Sequence, residues 1–252
     1  MRNHLAYSRI SEDLDFTHKK CEEIRKMSQN KRINAIRNLI DPILKDIKKI
    51  CDHAEFDFEI KRDNKKYVTA YHHKAVYSMS AYRISDITNL PIRIKIEINF
   101  VEHLQYPAVM QTIRDIVDSD TVLTSIGYNF VPIRLSCYAL EEIILEKYRA
   151  VLTRDVPMQR DIYDLYLIDK KEMDVLDIDE NKIFKKIESG RLATSHLGKN
   201  LSDNCKFLLE KGFLDSEDDI ALLSLSPVNN VQYGRFKKKL FKRLQYLCER
   251  RK

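Results

Sequence analysis

The chain has 252 residues, of which 44% are hydrophobic and 33% are charged, and its formal net charge is +6. This length and composition predict a globular protein of one large or two small domains. Charged residues interrupt every long apolar run, so the sequence predicts that no segment spans a membrane.

The N-terminal residues and the cysteines predict a cytoplasmic protein. The first residues, MRNH, lack the apolar stretch of a secretory signal peptide. The five cysteines are odd in number, widely spaced and never arranged as Cys-x-x-Cys. We therefore expect all of them to be reduced thiols.

The first predicted element is a strand in the stretch RISEDLDF at 9–16. Asp13 and Asp15 lie two positions apart in it and therefore point to the same face. The following residues, from Thr17 as a possible cap to residue 40, predict a helix. A second helix is predicted to restart at Asp41, with Pro42 at its first helical position.

From about residue 55 the pattern changes to strands. β-Branched and aromatic residues alternate with polar ones in FDFEIKR, KKYVTAYHH, AVYSMSAYRI and PIRIKIEINF, and VPIRLSC at 131–137 predicts one more strand. Past residue 137 the pattern is helical, beginning with YALEEIILEKYRAVLTR and MQRDIYDLYLI. The sequence therefore predicts an α/β half to about residue 136 and a helical half after it.

The C-terminal segment 235–252 is strongly basic, with nine Lys or Arg residues and one Glu. Apolar residues repeat in it at helical spacing and should pack inward: Phe236, Leu240, Leu244 and Leu247. The sequence does not decide whether the remaining cations of the helix face solvent or bind RNA phosphates. These four cations are Lys238, Lys239, Lys242 and Arg243.

The paired aspartates indicate a metal site. Two carboxylates held side by side repel each other, and a divalent cation removes that cost. Mg²⁺ prefers such oxygen ligands, completed by water and phosphate oxygens, and two-metal nucleotidyl transfer needs a third carboxylate from a neighbouring strand. Glu97 in RIKIEINF is the candidate, although its position is equally that of an edge strand or a solvated sheet face.

A second set of charged residues lies in LEEIILEKYRAVLTRDVPMQRDIYDLY at 140–166. Lys147 lies within an amphipathic helix, and Arg154 follows two turns later. Asp161 and Asp164 share a face of the next helix. On its own, this pattern is also that of a salt-bridged helix hairpin.

Together these stretches resemble the AbiEii/AbiGii toxin family of nucleotidyltransferase-like proteins, within the DNA polymerase β-type nucleotidyltransferase superfamily. The matching motifs, RISEDLDF, KIEIN and EEIILEKYRAVLTR…RDIYDLY, occur in order over about residues 7–168. The resemblance implies an α+β fold. A nucleotidyltransferase-type mixed sheet with flanking helices would occupy 1–136, with motif helices extending to about 168, and a helical bundle domain 137–252.

The resemblance also implies site roles. Asp13 and Asp15 match the metal-binding pair and Glu97 the third carboxylate, for Mg²⁺ or Mn²⁺. Lys147 matches the helix lysine expected near the nucleotide phosphates. Asp161 matches the second-helix aspartate, which either orients Lys147 or forms part of the active-site wall.

The family's Gly-Gly or Gly-Ser phosphate-binding turn before the aspartate strand has no counterpart, because the first glycine is Gly127. Three explanations stay open: a misplaced or truncated start, a degenerate inactive protein, or phosphate binding by other groups, such as Arg9, Lys147 or Arg160. The candidate substrate-binding residues are Arg9 and Arg160, together with Arg154.

The leading hypothesis is a metal-dependent nucleotidyltransferase. It would move a nucleoside monophosphate from an NTP to an acceptor, either an RNA such as tRNA or a protein. The family setting implies a toxin of a type IV toxin–antitoxin system with a cognate antitoxin. From the interrupted apolar runs we expect no membrane partner. The alternative is a catalytically degenerate nucleotide- or nucleic-acid-binding protein on the same scaffold.

Overall fold

The structure is a computed structural model that describes residues 13–62, 64–86, 88–112, 133–155, 159–171, 173–191, 196–210 and 228–251. The described residues form an α+β fold. They group into two compact units: the sheet unit, Ser11–His103 with Ser189–Ser195, and the helical unit, Leu104–Glu188 with His196–Lys252. The sheet unit ends at His103 and the helical unit continues from Leu104, whereas the sequence pattern changes near residue 136. The domain boundary at 136 stays a prediction.

The sheet unit contains a four-stranded mixed sheet in the order β1-β4-β3-β2. β1 is parallel to β4, and the other neighbours are antiparallel. The strands are β1 (Asp13–Thr17), β2 (Val68–Tyr71), β3 (Val76–Ile84) and β4 (Pro91–Asn99), and the helices are α1 (Cys21–Arg25) and α2 (Gln29–His53). The predicted strand FDFEIKR is wrong: it contributes one isolated bridge, between Asp57 and Tyr82.

Helix α2 runs through Pro42 without a break, so the predicted restart at Asp41 is wrong. A proline inside a helix removes one backbone hydrogen bond. The apolar stripe nevertheless stays in phase across it and is buried: Ile36, Ile40, Leu44, Ile47 and Cys51. The break lies earlier, since α1 ends at Arg25 and α2 begins after the extended Ser28.

The two faces of the sheet differ in character because side chains alternate along each strand. On β3, Tyr77, Met79 and Ala81 belong to the same apolar core as the stripe of α2. Ser78 and Ser80 point to the opposite face, which is therefore polar. The alternation leaves one face of this sheet free for charged side chains.

The turn between β2 and β3 holds three consecutive non-glycine residues with positive φ: His72 at 51°, His73 at 55° and Lys74 at 66°. A Cβ is disfavoured in this left-handed region. The hairpin therefore stores local strain at its tip.

Replacing Lys74 by glycine is expected to raise the free energy of unfolding by about 0.5–1 kcal/mol, because the relieved strain exceeds glycine's extra chain entropy. Denaturant unfolding measures the difference. Lys74→Ala keeps the Cβ and should give no gain. An equal gain for both variants would assign the effect to the lysine side chain instead.

The helical unit begins with a two-stranded sheet of β5 (Val109–Thr112) and β6 (Arg134–Cys137). Strand β6 was predicted within VPIRLSC, but β5 was not predicted. The helices are α3 (Leu140–Thr153), α4 (Gln159–Asp169), α5 (Glu180–Gly190), α6 (Leu197–Glu210) and α7 (Asn230–Arg250). Buried residues from α3 to α7 form one hydrophobic core.

Helix α7 confirms the predicted inward face, since Phe236, Leu240, Leu244 and Leu247 are all buried. Of the four cations predicted for the outer face, Lys238, Lys239 and Lys242 are exposed. Arg243 is not left for solvent: its guanidinium donates to the Ile178 carbonyl oxygen at 2.7 Å. None of the described helices is long and apolar enough to cross a membrane.

The cysteine prediction is wrong for one pair. Cys205 of α6 and Cys248 of α7 form a disulfide, with their Cα atoms 5.2 Å apart. Both residues lie on the buried faces of their helices, which brings them together across 43 residues of sequence. Cys21 and Cys51 are free, buried thiols.

Candidate active site

The polar sheet face carries the three carboxylates predicted for the metal site. Parallel pairing of β1 with β4 places Asp13 opposite Lys95 and Asp15 opposite Glu97. Directly paired residues of neighbouring strands share a face. The strands thus bring Asp13, Asp15 and Glu97 onto one surface, although 82 residues separate Asp15 from Glu97 in sequence.

Lys95 lies between two of these carboxylates. Its ammonium is 3.4 Å from Asp13 Oδ2 and 2.6 Å from Glu97 Oε2. The side chains are partly accessible, with exposed fractions of 37% for Asp13, 27% for Lys95 and 33% for Glu97. Sequence analysis assigned Lys95 no role, although its position two residues before Glu97 places it on the same strand face.

The ammonium is held firmly in its charged form. Burial works against the charge, but the hydrogen bond and charge of Glu97, together with the charge of Asp13, raise the pKa of Lys95 above its ordinary value. The carboxylates therefore already have a cation at neutral pH.

Strand β4 lies between β1 and β3, so Glu97 does not lie on an edge strand. The other open interpretation, a partly solvated sheet face, agrees with its exposure. Ser78 on β3 pairs with Glu97, and Ser80 pairs with Lys95. Arg93 extends the face and donates to the Ser80 hydroxyl from Nε at 3.1 Å and from a terminal nitrogen at 2.9 Å.

The donor set fits a hard divalent cation, because carboxylate oxygens are the protein ligands that Mg²⁺ and Mn²⁺ prefer. The Lys95 ammonium already supplies one positive charge beside Asp13 and Glu97. Within the described part of the chain, however, no three His, Cys, Asp or Glu side chains are arranged ready to hold a metal ion. Metal binding would require the carboxylates to rearrange around it.

The second predicted set belongs to the helical unit. Lys147 on α3 contacts two aspartates of α4: Asp161 Oδ1, 3.0 Å from Nζ, and Asp164 Oδ2. Arg154 also reaches Asp161, with its terminal nitrogen 2.9 Å from Oδ2. The aspartate side chains are 1% and 0% exposed, whereas Lys147 is 18% exposed. The buried carboxylates therefore orient a lysine that solvent can still reach.

Asp161 had two open roles, orienting Lys147 or forming part of the active-site wall. These contacts favour the first. Asp164, which shares a helix face with Asp161, contacts the same ammonium. Arg160 lies at the start of α4 and is partly buried. Arg9 lies outside the described residues.

The C-terminal end of α3, next to this lysine cluster, is secured by two amides from α6. The Asn204 side chain donates to the carbonyl oxygens of Leu152 and Arg154 at 3.0 and 2.8 Å. Asn200 donates to the Thr153 carbonyl oxygen at 2.9 Å. Terminal helix carbonyls lack intrahelical partners, so these amides fix the backbone from which Arg154 extends.

Sequence reasoning missed a buried ion pair on the other side of the same motif helix. The Lys186 ammonium lies 2.6 Å from Glu142 Oε1 and 2.6 Å from Glu146 Oε1, and Lys186 and Glu142 are both 0% exposed. Glu142 Oε2 also accepts backbone N–H groups of Gln105 and Tyr106 at 2.8 and 2.9 Å. One signal was available: Lys186 interrupts the apolar face that Ile183 and Ile187 form on α5.

A mixed sheet with paired aspartates opposite a glutamate is consistent with a protein of the nucleotidyltransferase-like class. Over residues 3–244 the sequence matches the family described as "Nucleotidyl transferase AbiEii toxin, Type IV TA system". The chain belongs to this family, whose membership implies a nucleotide substrate and an antitoxin partner. The match extends well past residue 168, where the recognisable motifs end.

No curated protein and no solved structure matches the chain. The family assignment therefore comes from the family match alone, and the roles of individual residues are argued from their contacts.

Proposed function

We propose that the protein transfers a nucleoside monophosphate from an NTP to an acceptor hydroxyl and releases pyrophosphate. Family membership supports a nucleotidyltransferase toxin. The observation that carries the proposal is the register of β1 on β4, which sets Asp15 opposite Glu97 and Asp13 two residues earlier on the same face. Such a row of carboxylates on a half-open sheet face suits metal-bound phosphates.

In this proposal Asp13, Asp15 and Glu97 hold Mg²⁺ or Mn²⁺. When bound, the metal supplies Lewis-acid polarisation of the phosphoryl oxygens and neutralises developing charge. The strands fix the backbone positions of the three carboxylates, and their side chains would rearrange to hold the metal. Ser78 and Ser80, on the same face of the neighbouring strand β3, add hydroxyls but no further negative charge.

We assign Lys147 to the nucleotide phosphates, as the family resemblance implies. Asp161 and Asp164 hold its ammonium from the buried side. The exposed side of the Lys147 ammonium can donate to a phosphate oxygen. A fixed cation there stabilises the charge that develops during transfer. Arg154 and Arg160 are the candidates for further phosphate contacts, together with Arg9.

We further propose an RNA acceptor such as tRNA, and a cytoplasmic site of action, where nucleotides and RNA are available. The exposed lysines of α7 support an RNA contact, because phosphates dominate such binding. The Cys205–Cys248 disulfide is unusual for a reducing compartment.

A catalytically degenerate binding protein on the same scaffold is the second candidate. The position of Lys95 favours it, because a permanent cation between Asp13 and Glu97 satisfies carboxylates that otherwise need a metal. Such a protein would bind a nucleotide or nucleic acid without transfer.

A labelled-nucleotide assay separates the two candidates. The protein would be incubated with Mg²⁺ or Mn²⁺, each α-labelled NTP and total tRNA, beside the double variant Asp13→Asn/Asp15→Asn. We expect label on the RNA or protein fraction with the native chain only. Label with neither chain, despite intact folding, would favour the binding protein; equal label with both would contradict the proposed site.

A further inference from the structure

We propose that Lys95 is an internal counter-ion of the carboxylate face and competes with the divalent metal for Asp13 and Glu97. This inference rests on the proposed function, because it assumes that the three carboxylates form the metal site. It makes Lys95, a residue of the same sheet face, a determinant of metal affinity.

The contacts define the competition. The Lys95 ammonium lies within ion-pair distance of Asp13 on one side and Glu97 on the other. A metal ligated by these carboxylates needs the same oxygens. The ammonium and the metal would repel each other if both stayed between the carboxylates.

The Lys95 side chain can move away from the two carboxylates. A lysine ammonium is a point charge on a flexible four-carbon stem, and 27% of the Lys95 side chain is exposed. The ammonium can therefore turn toward solvent or toward an incoming phosphate when a metal arrives. Without metal, the ammonium offsets the repulsion between the carboxylates. It therefore stabilises the metal-free protein and lowers its affinity for metal.

Replacing Lys95 by methionine tests this inference without an activity measurement. We expect Lys95→Met to bind Mn²⁺ about tenfold more tightly in calorimetry, because the competing charge is gone. The same variant should melt at lower temperature without metal, since its carboxylates lose the Lys95 charge, and should gain more thermal stability from saturating Mn²⁺.

Two matched variants serve as controls. Lys95→Arg keeps the positive charge and should stay close to the native Mn²⁺ affinity. Arg93→Met removes a cation two residues away on the same strand face, where the guanidinium hydrogen-bonds the Ser80 hydroxyl. It should leave Mn²⁺ affinity within about twofold, because this charge is farther from the ligands.

The outcomes distinguish this inference from the proposed function. Equal or weaker Mn²⁺ binding by Lys95→Met, with binding that Asp13→Asn still reduces, would overturn the competition and leave the metal site standing. No Mn²⁺ binding by any variant would overturn both. Tighter binding by Lys95→Met that Asp13→Asn abolishes would support both.

Discussion

Replacing Lys186 by methionine is expected to destabilise the protein by about 3–5 kcal/mol, the range for removing one partner of a buried ion pair. The variant takes the ammonium from both Glu142 and Glu146 and leaves the Glu142 carboxylate buried, where the backbone N–H groups of Gln105 and Tyr106 still donate to it. Methionine nearly preserves the volume of the side chain, so lost packing contributes little. Denaturant unfolding followed by circular dichroism measures the change.

Two variants test whether charge is the cause. Lys206→Met removes a lysine that is 74% exposed and lies 3.9 Å from Glu210, and should leave the unfolding midpoint unchanged. Glu142→Gln/Lys186→Met removes the charges of the two fully buried partners and leaves that of Glu146, while the amide oxygen still accepts the two N–H groups. This double variant should be more stable than Lys186→Met; if it is less stable, the buried charge is not the source of the loss.

The sequence predicted long, regular elements better than short ones. Strands β3 and β4 and helices α3 and α4 follow strong apolar patterns, and the structure contains each of them. Strand β5 has four residues and, among the strands that the structure describes, pairs with β6 alone, so its local pattern carries little information. FDFEIKR has a strand-like composition, but strands need partners, and this segment makes a single bridge.

Tertiary packing overrode local signals at Pro42. Asp41-Pro42 is a strong helix-start signal, yet α2 continues because its buried stripe has one period on both sides of the proline. The disulfide between Cys205 and Cys248 likewise depends on how two helices pack. Cysteine spacing cannot reveal such a pairing.

For the candidate site, motif resemblance supplied residues and the structure supplied their contacts. Asp13, Asp15 and Glu97 were named from motifs, and the strand register places them on one face. The role of Lys95 could not be read from the sequence, because alternating charge is also typical of a solvated strand face. Only the geometry shows its ammonium between two carboxylates.

Replacing Lys147 by methionine is expected to lower the rate of nucleotidyl transfer about 10²–10³-fold, the usual cost of removing one fixed group that stabilises transition-state charge. It should also lower stability, because Asp164 and Asp161 are buried against this ammonium. The transfer rate with α-labelled NTP and the denaturant midpoint are measured on the same preparation.

A second substitution separates the two effects of losing Lys147. In Lys147→Met/Asp164→Asn the buried charges balance again, since Asp161 keeps Arg154 at 2.9 Å and residue 164 becomes neutral. Stability should therefore return toward that of the native protein, whereas transfer should stay as low as in Lys147→Met, because no ammonium is present to bind phosphate. If transfer recovers together with stability, Lys147 supports the fold and does not act on the nucleotide.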